Sequence, residues 1–194
     1  MVDFGPSQQE FHIGQGSVAI PGNTAGLLEV HQRLGQVPLI AVLEPAVVAA
    51  RSGVILNETQ AYLIKILEPI LINSTAGCDL FRPNGKLLKK GDRFQNPSFA
   101  DFLNMLVAEG SRYFYEGDGA ELILNTVGQQ GLITRECLSQ YTVVERQPLK
   151  SQFRGKTIYT NPAPATGGTL ITFALQLMDQ SDRNSKSDFT NLIK

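Results

Sequence analysis

The stretch NPSFADFLNMLVAEG, Asn96 to Gly110, constrains the fold more than any other part of the chain. Phe99, Phe102, Leu103, Leu106 and Val107 recur at i, i+3, i+4, i+7 and i+8, which is one face of a 3.6-residue helix. Asn96 supplies a cap, Pro97 takes the first helical position, where its missing N–H has no intrahelical partner to lose, and Gly110 closes the element. So apolar a face needs cover, and other helical stretches are available to give it. Asn23 or Thr24 caps a helix through Leu34, with Leu27, Val30, His31 and Leu34 along one side and Gly35 as its stop. A second helical stretch runs from Pro38 to Arg51, where Pro45 implies either a kink or a short helix followed by a new one near Glu44; Gly53 ends it. Asn57 and Gln60 form a capping-box variant before ETQAYLIKILEPIL, which stops near Pro69, and a further helix runs from about Gly119 to Val127.

The rest is less regular. EFHIGQGSVAIPGN, from Glu10, mixes β-like alternation with glycine and ends in a Pro21-Gly22 turn. INSTAGCDLFRPNGKLLKKGDRF, from Ile72, reads as an irregular loop carrying Lys86, Lys89 and Lys90. From Thr142 the period changes to two: YTVVERQPL and QFRGKTIYT read as strands joined around Lys150-Ser151. In NPAPATGGTLITFALQLM, Pro162 and Pro164 force an extended entry, and Thr166 or Thr169 caps a helix from Leu170 to Met178. The expected fold class is helix-rich α+β. A chain of 194 residues holds one medium domain, placed at 1–178 and followed by a polar tail over 179–194.

Composition removes several classes of function. A net charge of −1 gives no general field for nucleic acid or anionic membranes. No apolar run approaches the roughly 20 residues of a membrane span, and MVDFGPSQQEFH has no signal-peptide pattern, so the chain reads as cytoplasmic as written. Cys78 and Cys137 lack ligand spacing and read as free thiols; no metal site is expected. GQGSVA fits the loose dinucleotide pattern, but Ile20-Pro21-Gly22 breaks the chain where a helix must start, so a structural turn is expected. No G-x-S-x-G elbow accompanies His12 or His31, and His31 is expected to be hydrogen-bonded and partly buried. Cys137, in TRECLSQY, is expected to be a packed thiol, and the lysine cluster a solvated loop. Gly167-Gly168 lacks the lysine of a phosphate loop and reads as a close strand–helix corner.

The order of short motifs nevertheless resembles the gamma-glutamyltransferase (gamma-glutamyltranspeptidase, glutathione hydrolase) family of N-terminal nucleophile hydrolases. The matching pieces begin with Val18-Ala19-Ile20-Pro21-Gly22, Ala25-Gly26, Leu34-Gly35, Glu44-Pro45-Ala46 and Ala50-Arg51-Ser52-Gly53. They continue with Leu88-Lys89-Lys90-Gly91-Asp92, Asn96-Pro97 with Ala100 and Leu103, and Gly110 before Phe114-Tyr115-Glu116-Gly117. Gly131-Leu132-Ile133-Thr134 with Leu138 and Tyr141, Arg154-Gly155, and Pro162 through Gly168 complete the series, from about Gly16 to Met178. Cys137 stands where the family usually has Asp, Gln130 where it usually has Gly, and Ala165-Thr166 where it usually has two serines.

The resemblance implies that the chain corresponds to the middle of the family's large subunit, a partial N-terminal nucleophile hydrolase scaffold. Family members cleave themselves before a threonine, which opens the small subunit and attacks the gamma-glutamyl amide of glutathione-like compounds; the acyl group then passes to water or an amino acid. No metal or organic cofactor is implied. The nucleophile and oxyanion glycines belong to the small subunit, and none of the arginines from Arg33 to Arg154 sits in the family's carboxylate-binding motif. No catalytic, substrate-binding or metal residue is therefore transferred. The expectation is a truncated or split family member, inactive alone, completed by a second chain supplying the small subunit or else self-associating. Gamma-glutamyl compounds bind only in the completed enzyme, whose family members are often periplasmic, secreted or surface-bound. The alternative is a non-catalytic interaction module on the same scaffold. A third reading, an independent enzyme using Cys137 or a histidine, ranks last. Apolar residues of the Thr142–Thr160 strands and the Leu170–Met178 helix are expected to lack cover.

Overall fold

Side-chain caps three residues ahead of their backbone donors start helices at Asn57, Ser74, Asn96 and Thr134, whereas the first long helix enters from Gly22 without the expected Asn23 or Thr24 cap. The structure, a computed structural model, describes residues 1–128 and 131–180; Gln130 and, of the expected polar tail 179–194, residues 181–194 lie outside the described residues. The chain divides into two compact units, Met1–Val143 and Val144–Lys194.

In the first unit, strands β1 (Val2–Asp3) and β2 (Gln8–Gln9) pair antiparallel and bury Val2. The Gly14–Ala19 stretch forms a short 3-10 turn at Gln15–Ser17, with no helix after it until Asn23; the β-like alternation of this region makes no strand. Helices α1 (Asn23–Leu34) and α2 (Leu39–Ser52) follow, and Pro45 is accommodated inside a single α2. Strand β3 (Val54–Ile55) precedes α3 (Glu58–Ile66) and α4 (Glu68–Leu71). The capping box closes α3 in both directions: Gln60 N–H donates to Asn57 Oδ1 and Asn57 N–H to Gln60 Oε1, each at 2.9 Å. Asn57→Ala should lower stability by about 1 kcal/mol, read as a shifted denaturation midpoint at unchanged slope.

The segment from Ile72 to Phe94 is more ordered than its composition implies. Ser74 Oγ accepts the Gly77 N–H at 3.1 Å and starts α5 (Thr75–Phe81), and β4 (Arg93–Phe94) pairs antiparallel with β3. Its turn-forming Ser, Thr and Gly are the residues of a helix start, which composition does not distinguish from a loop. Helix α6 (Pro97–Glu109) is capped by Asn96, whose Oδ1 accepts the Phe99 N–H at 3.1 Å, and ends at Gly110. The short α7 (Ser111–Tyr115), which the periodicity does not announce, leads to α8 (Asp118–Val127) and α9 (Arg135–Ser139).

Three apolar clusters hold this unit. Leu56, Ile64 and Leu88 gather Phe81 and Phe94; Leu103, Leu106 and Tyr113 gather Leu28, Leu43 and Val47; Ala120, Ile133 and Leu138 gather Ile20, Ile123 and Leu124. The second cluster corrects the expected face of α1. Leu28 points inward, whereas Leu27 and Leu34 are 71% and 77% exposed. Two apolar stripes compete on that helix, and only the surface it packs against selects one.

The second unit is a hairpin with one helix. Strands β5 (Leu149–Phe153) and β6 (Lys156–Thr160) pair antiparallel in the register Leu149↔Thr160 to Phe153↔Lys156. The turn is therefore Arg154-Gly155, both at positive φ (47° and 73°), and not Lys150-Ser151; residues 141–148 form no strand. Positive φ at both positions suits a two-residue hairpin turn, but an arginine there conceals it from a sequence reading. Helix α10 (Thr166–Gln180) starts four residues before Leu170 and packs on β5. At Gly168 a Cβ would run into the Asn161 carbonyl oxygen and lie 2.8 Å from Thr160 Oγ1, so the expected close corner is present at that glycine. As expected, apolar residues here stay bare: Tyr159, Leu170, Ile171 and Phe173 are exposed.

Candidate functional site

An open recess of the first unit lies between α1 and α7. Ala25, Leu28, Glu29 and Gln32 repeat at i, i+3, i+4 and i+7, so one stripe of α1 lines one wall. Arg112, Tyr115 and Glu116 line the other, and Tyr141 and Thr142 complete an open cleft of about 470 Å³. Its base is rigid. The Ala25 N–H donates to Tyr115 Oη at 3.1 Å, and that hydroxyl donates to the Pro21 carbonyl at 2.5 Å. Burial pushes the Tyr115 hydroxyl pKa up, and the Ala25 N–H partly offsets this. The Tyr141 ring stacks on Tyr115 with centroids 5.4 Å apart and planes 8° from parallel. A Cβ at Gly22 would run into the Tyr141 hydroxyl, so the Tyr141 ring sits against the backbone where the chain enters α1 and would have to shift for a larger residue.

The electrostatics of the walls are mixed. Glu29 pairs with Arg33 at 2.6 Å. Among the described ion pairs, neither Arg112 nor Glu116 takes part, although they stand four residues apart. A second groove of about 340 Å³, between α6 and α8, is lined by Phe102, Met105, Phe114 and Leu122, with Asp101 at its rim held by Arg51 at 2.5 Å.

The residues singled out from the sequence are not brought together. His12 is exposed; His31 is half-buried, with Nε2 2.8 Å from the Val37 carbonyl oxygen, where it ties the α1–α2 connection. Neither histidine is hydrogen-bonded to a hydroxyl or thiol, and no group of three metal-ligating side chains occurs among the described residues. Lys90 pairs with Glu58 at 2.8 Å on the surface. No helix of the described residues is long and apolar enough to cross a membrane.

Cys78 is half-buried and its thiol donates to the Ile72 carbonyl at 3.2 Å. Cys137 is exposed rather than packed, because α9 turns its first residues outward. The Thr134 hydroxyl donates to Cys137 Sγ at 3.1 Å and holds the thiol below its ordinary pKa. Iodoacetamide should therefore alkylate Cys137 before Cys78, and Thr134→Val should slow the Cys137 reaction on the order of two- to threefold at neutral pH, as peptide mass mapping would show. The cleft residues Arg112, Tyr115, Glu116 and Tyr141 carry no pattern of their own in the sequence; Tyr115, Glu116 and Tyr141 enter it only as members of family motifs, without a role.

Comparison with known proteins adds what geometry does not. The gamma-glutamyltranspeptidase family model matches residues 1–192. The chain is 34% identical over 173 residues to the glutathione hydrolase proenzyme of Escherichia coli K12, covering 88% of this chain and 29% of that protein. It is 29% identical over 182 residues to the capsule biosynthesis protein CapD proenzyme of Bacillus anthracis, covering 94% of this chain and 32% of that protein. The chain thus spans less than a third of the length of these curated relatives. Its fold matches the crystal structure of Helicobacter pylori gamma-glutamyltranspeptidase with a TM-score of 0.84 and 27% identity, over 91% of this chain and 52% of that one.

Proposed function

The chain belongs to the gamma-glutamyltranspeptidase family, and we propose that it serves gamma-glutamyl transfer or hydrolysis as scaffold, with the reacting groups supplied by a further segment or second chain. The observation that carries this reading is the coincidence of a family match over residues 1–192 with coverage of only 29% of the length of the glutathione hydrolase proenzyme of Escherichia coli K12. The curated relatives are named proenzymes, and one is named for glutathione hydrolysis, so the substrate class we assign to the completed assembly is gamma-glutamyl compounds of the glutathione type. Residues 1–178 act in this reading as one contribution to the large subunit, and no residue of it takes a catalytic, cofactor or metal role.

The bare apolar faces support the reading. Leu27, Val30 and Leu34 on α1, and Leu170, Ile171 and Phe173 on α10, are surfaces that a further segment or another copy would cover. The same faces favour the interaction-module alternative, which differs in predicting association without chemistry. Purified 194-residue chain incubated with a gamma-glutamyl anilide should release no aniline above buffer. Turnover should appear only on co-expression with a family segment carrying the nucleophile threonine. Robust turnover by the chain alone would overturn the scaffold assignment, and association with such a segment without turnover would favour the module.

A further inference from the structure

We propose that the α1–α7 cleft binds a small zwitterion of about dipeptide size, a site independent of the gamma-glutamyl reading. The volume of about 470 Å³ falls within the usual range of small-ligand recesses. Its lining divides into an apolar base and a charged rim. Leu28 and the Tyr115–Tyr141 stack form a surface for a side chain, held rigid by the Tyr115 hydrogen bonds to Pro21 and Ala25. Rigidity matters because a preformed recess spends little free energy on ordering itself when the ligand arrives.

The rim selects the charge type. Arg112 offers a planar fork for a carboxylate and has no ion-pair partner among the described residues. Glu116, the residue that ends α7 four positions after Arg112, and Glu29 across the cleft are acceptors for an ammonium group; Glu29 already shares its charge with Arg33. Two carboxylates repel a phosphate or polyanion, and the guanidinium repels a simple cation. A ligand carrying both charges satisfies both ends, and Gln32 and Thr142 add neutral hydrogen-bonding groups for an amide between them.

The test is a titration of the full 194-residue chain, ¹⁵N-labelled, with alanyl-leucine, followed by backbone amide shifts. Two blocked forms separate the ends: N-acetyl-alanyl-leucine lacks the ammonium and alanyl-leucine amide lacks the carboxylate. Saturable shifts are expected at Ala25, Leu28, Ser111 and Tyr141, with each blocked form binding at least about tenfold more weakly. Arg112→Gln should erase the difference between the dipeptide and its amide, and Glu116→Gln should shrink the preference over the acetylated form. Both side chains are exposed, so the variants should keep the parent melting temperature, which is measured alongside. No saturable shift at those amides, equal binding of all three compounds, or discrimination that survives both substitutions would each overturn the proposal.

Discussion

Leu138→Ala should lower the unfolding free energy by roughly 2–5 kcal/mol. Leu138 is fully buried on α9 against Ala120 and Ile133, with Ile20, Ile123 and Leu124 packed around them. The methyl groups removed have no neighbour able to replace them, because Ala120 is itself fully buried and already close to its surroundings. Urea unfolding followed by circular dichroism measures the loss, and Leu138→Met, which keeps the volume, should cost less than about 1.5 kcal/mol. The consequence extends to the cleft. Ser139 and Tyr141 follow Leu138 directly, so the stack on Tyr115 should loosen when the anchor goes. A loss under about 1 kcal/mol would show that this cluster collapses around the gap.

Gly168→Ala sets two effects of opposite sign against each other. Alanine is the better helix former, by roughly 1 kcal/mol, so propensity alone predicts that α10 gains stability. The added Cβ, however, meets the Asn161 carbonyl, which is backbone and cannot swing aside. Overpacking of this kind costs about 1–3 kcal/mol, occasionally more, and should win. Gly167→Ala is the internal control: a Cβ there meets nothing within 4 Å, so propensity acts unopposed and the change should be neutral or stabilising. Amide exchange of the β5–β6 hairpin reads both, because α10 packs on β5. Equal behaviour of the two variants would mean that the strand–helix corner yields.

Helix starts were legible because their information is local. Asn57 with Gln60 and Asn96 with Phe99 each close a hydrogen bond across three residues, and no distant group changes that geometry. The same local grammar is present at Ser74, but Gly77 obscured it: the residue lowers helix propensity, yet sits where a Cβ would run into the Leu71 carbonyl. The hairpin turn at Arg154-Gly155 was hidden for a related reason, since a left-handed arginine is held by strand pairing on both sides rather than by its own preference. The candidate cleft was not legible at all. Arg112, Tyr115 and Tyr141 converge only because α7 and the segment after α9 are brought against α1.

Readable from the linear chain were the helix-rich α+β class, the starts of α2, α3, α6 and α8, the unsuitability of Gly14–Ala19 as a dinucleotide loop, and, through the order of short motifs, the family. These depend on contacts within a few residues or on the linear order of residues, and both survive without a fold. Long-range packing set which stripe of α1 is buried, where the hairpin turns, that Cys137 faces outward, and that two tyrosines and an arginine share one recess. Each of those depends on which surface is supplied by residues distant in the chain, such as Tyr115 meeting Pro21 or Leu28 meeting the α6 cluster. Apolar periodicity marks where a helix can bury a face; the partner surface chooses which face is buried.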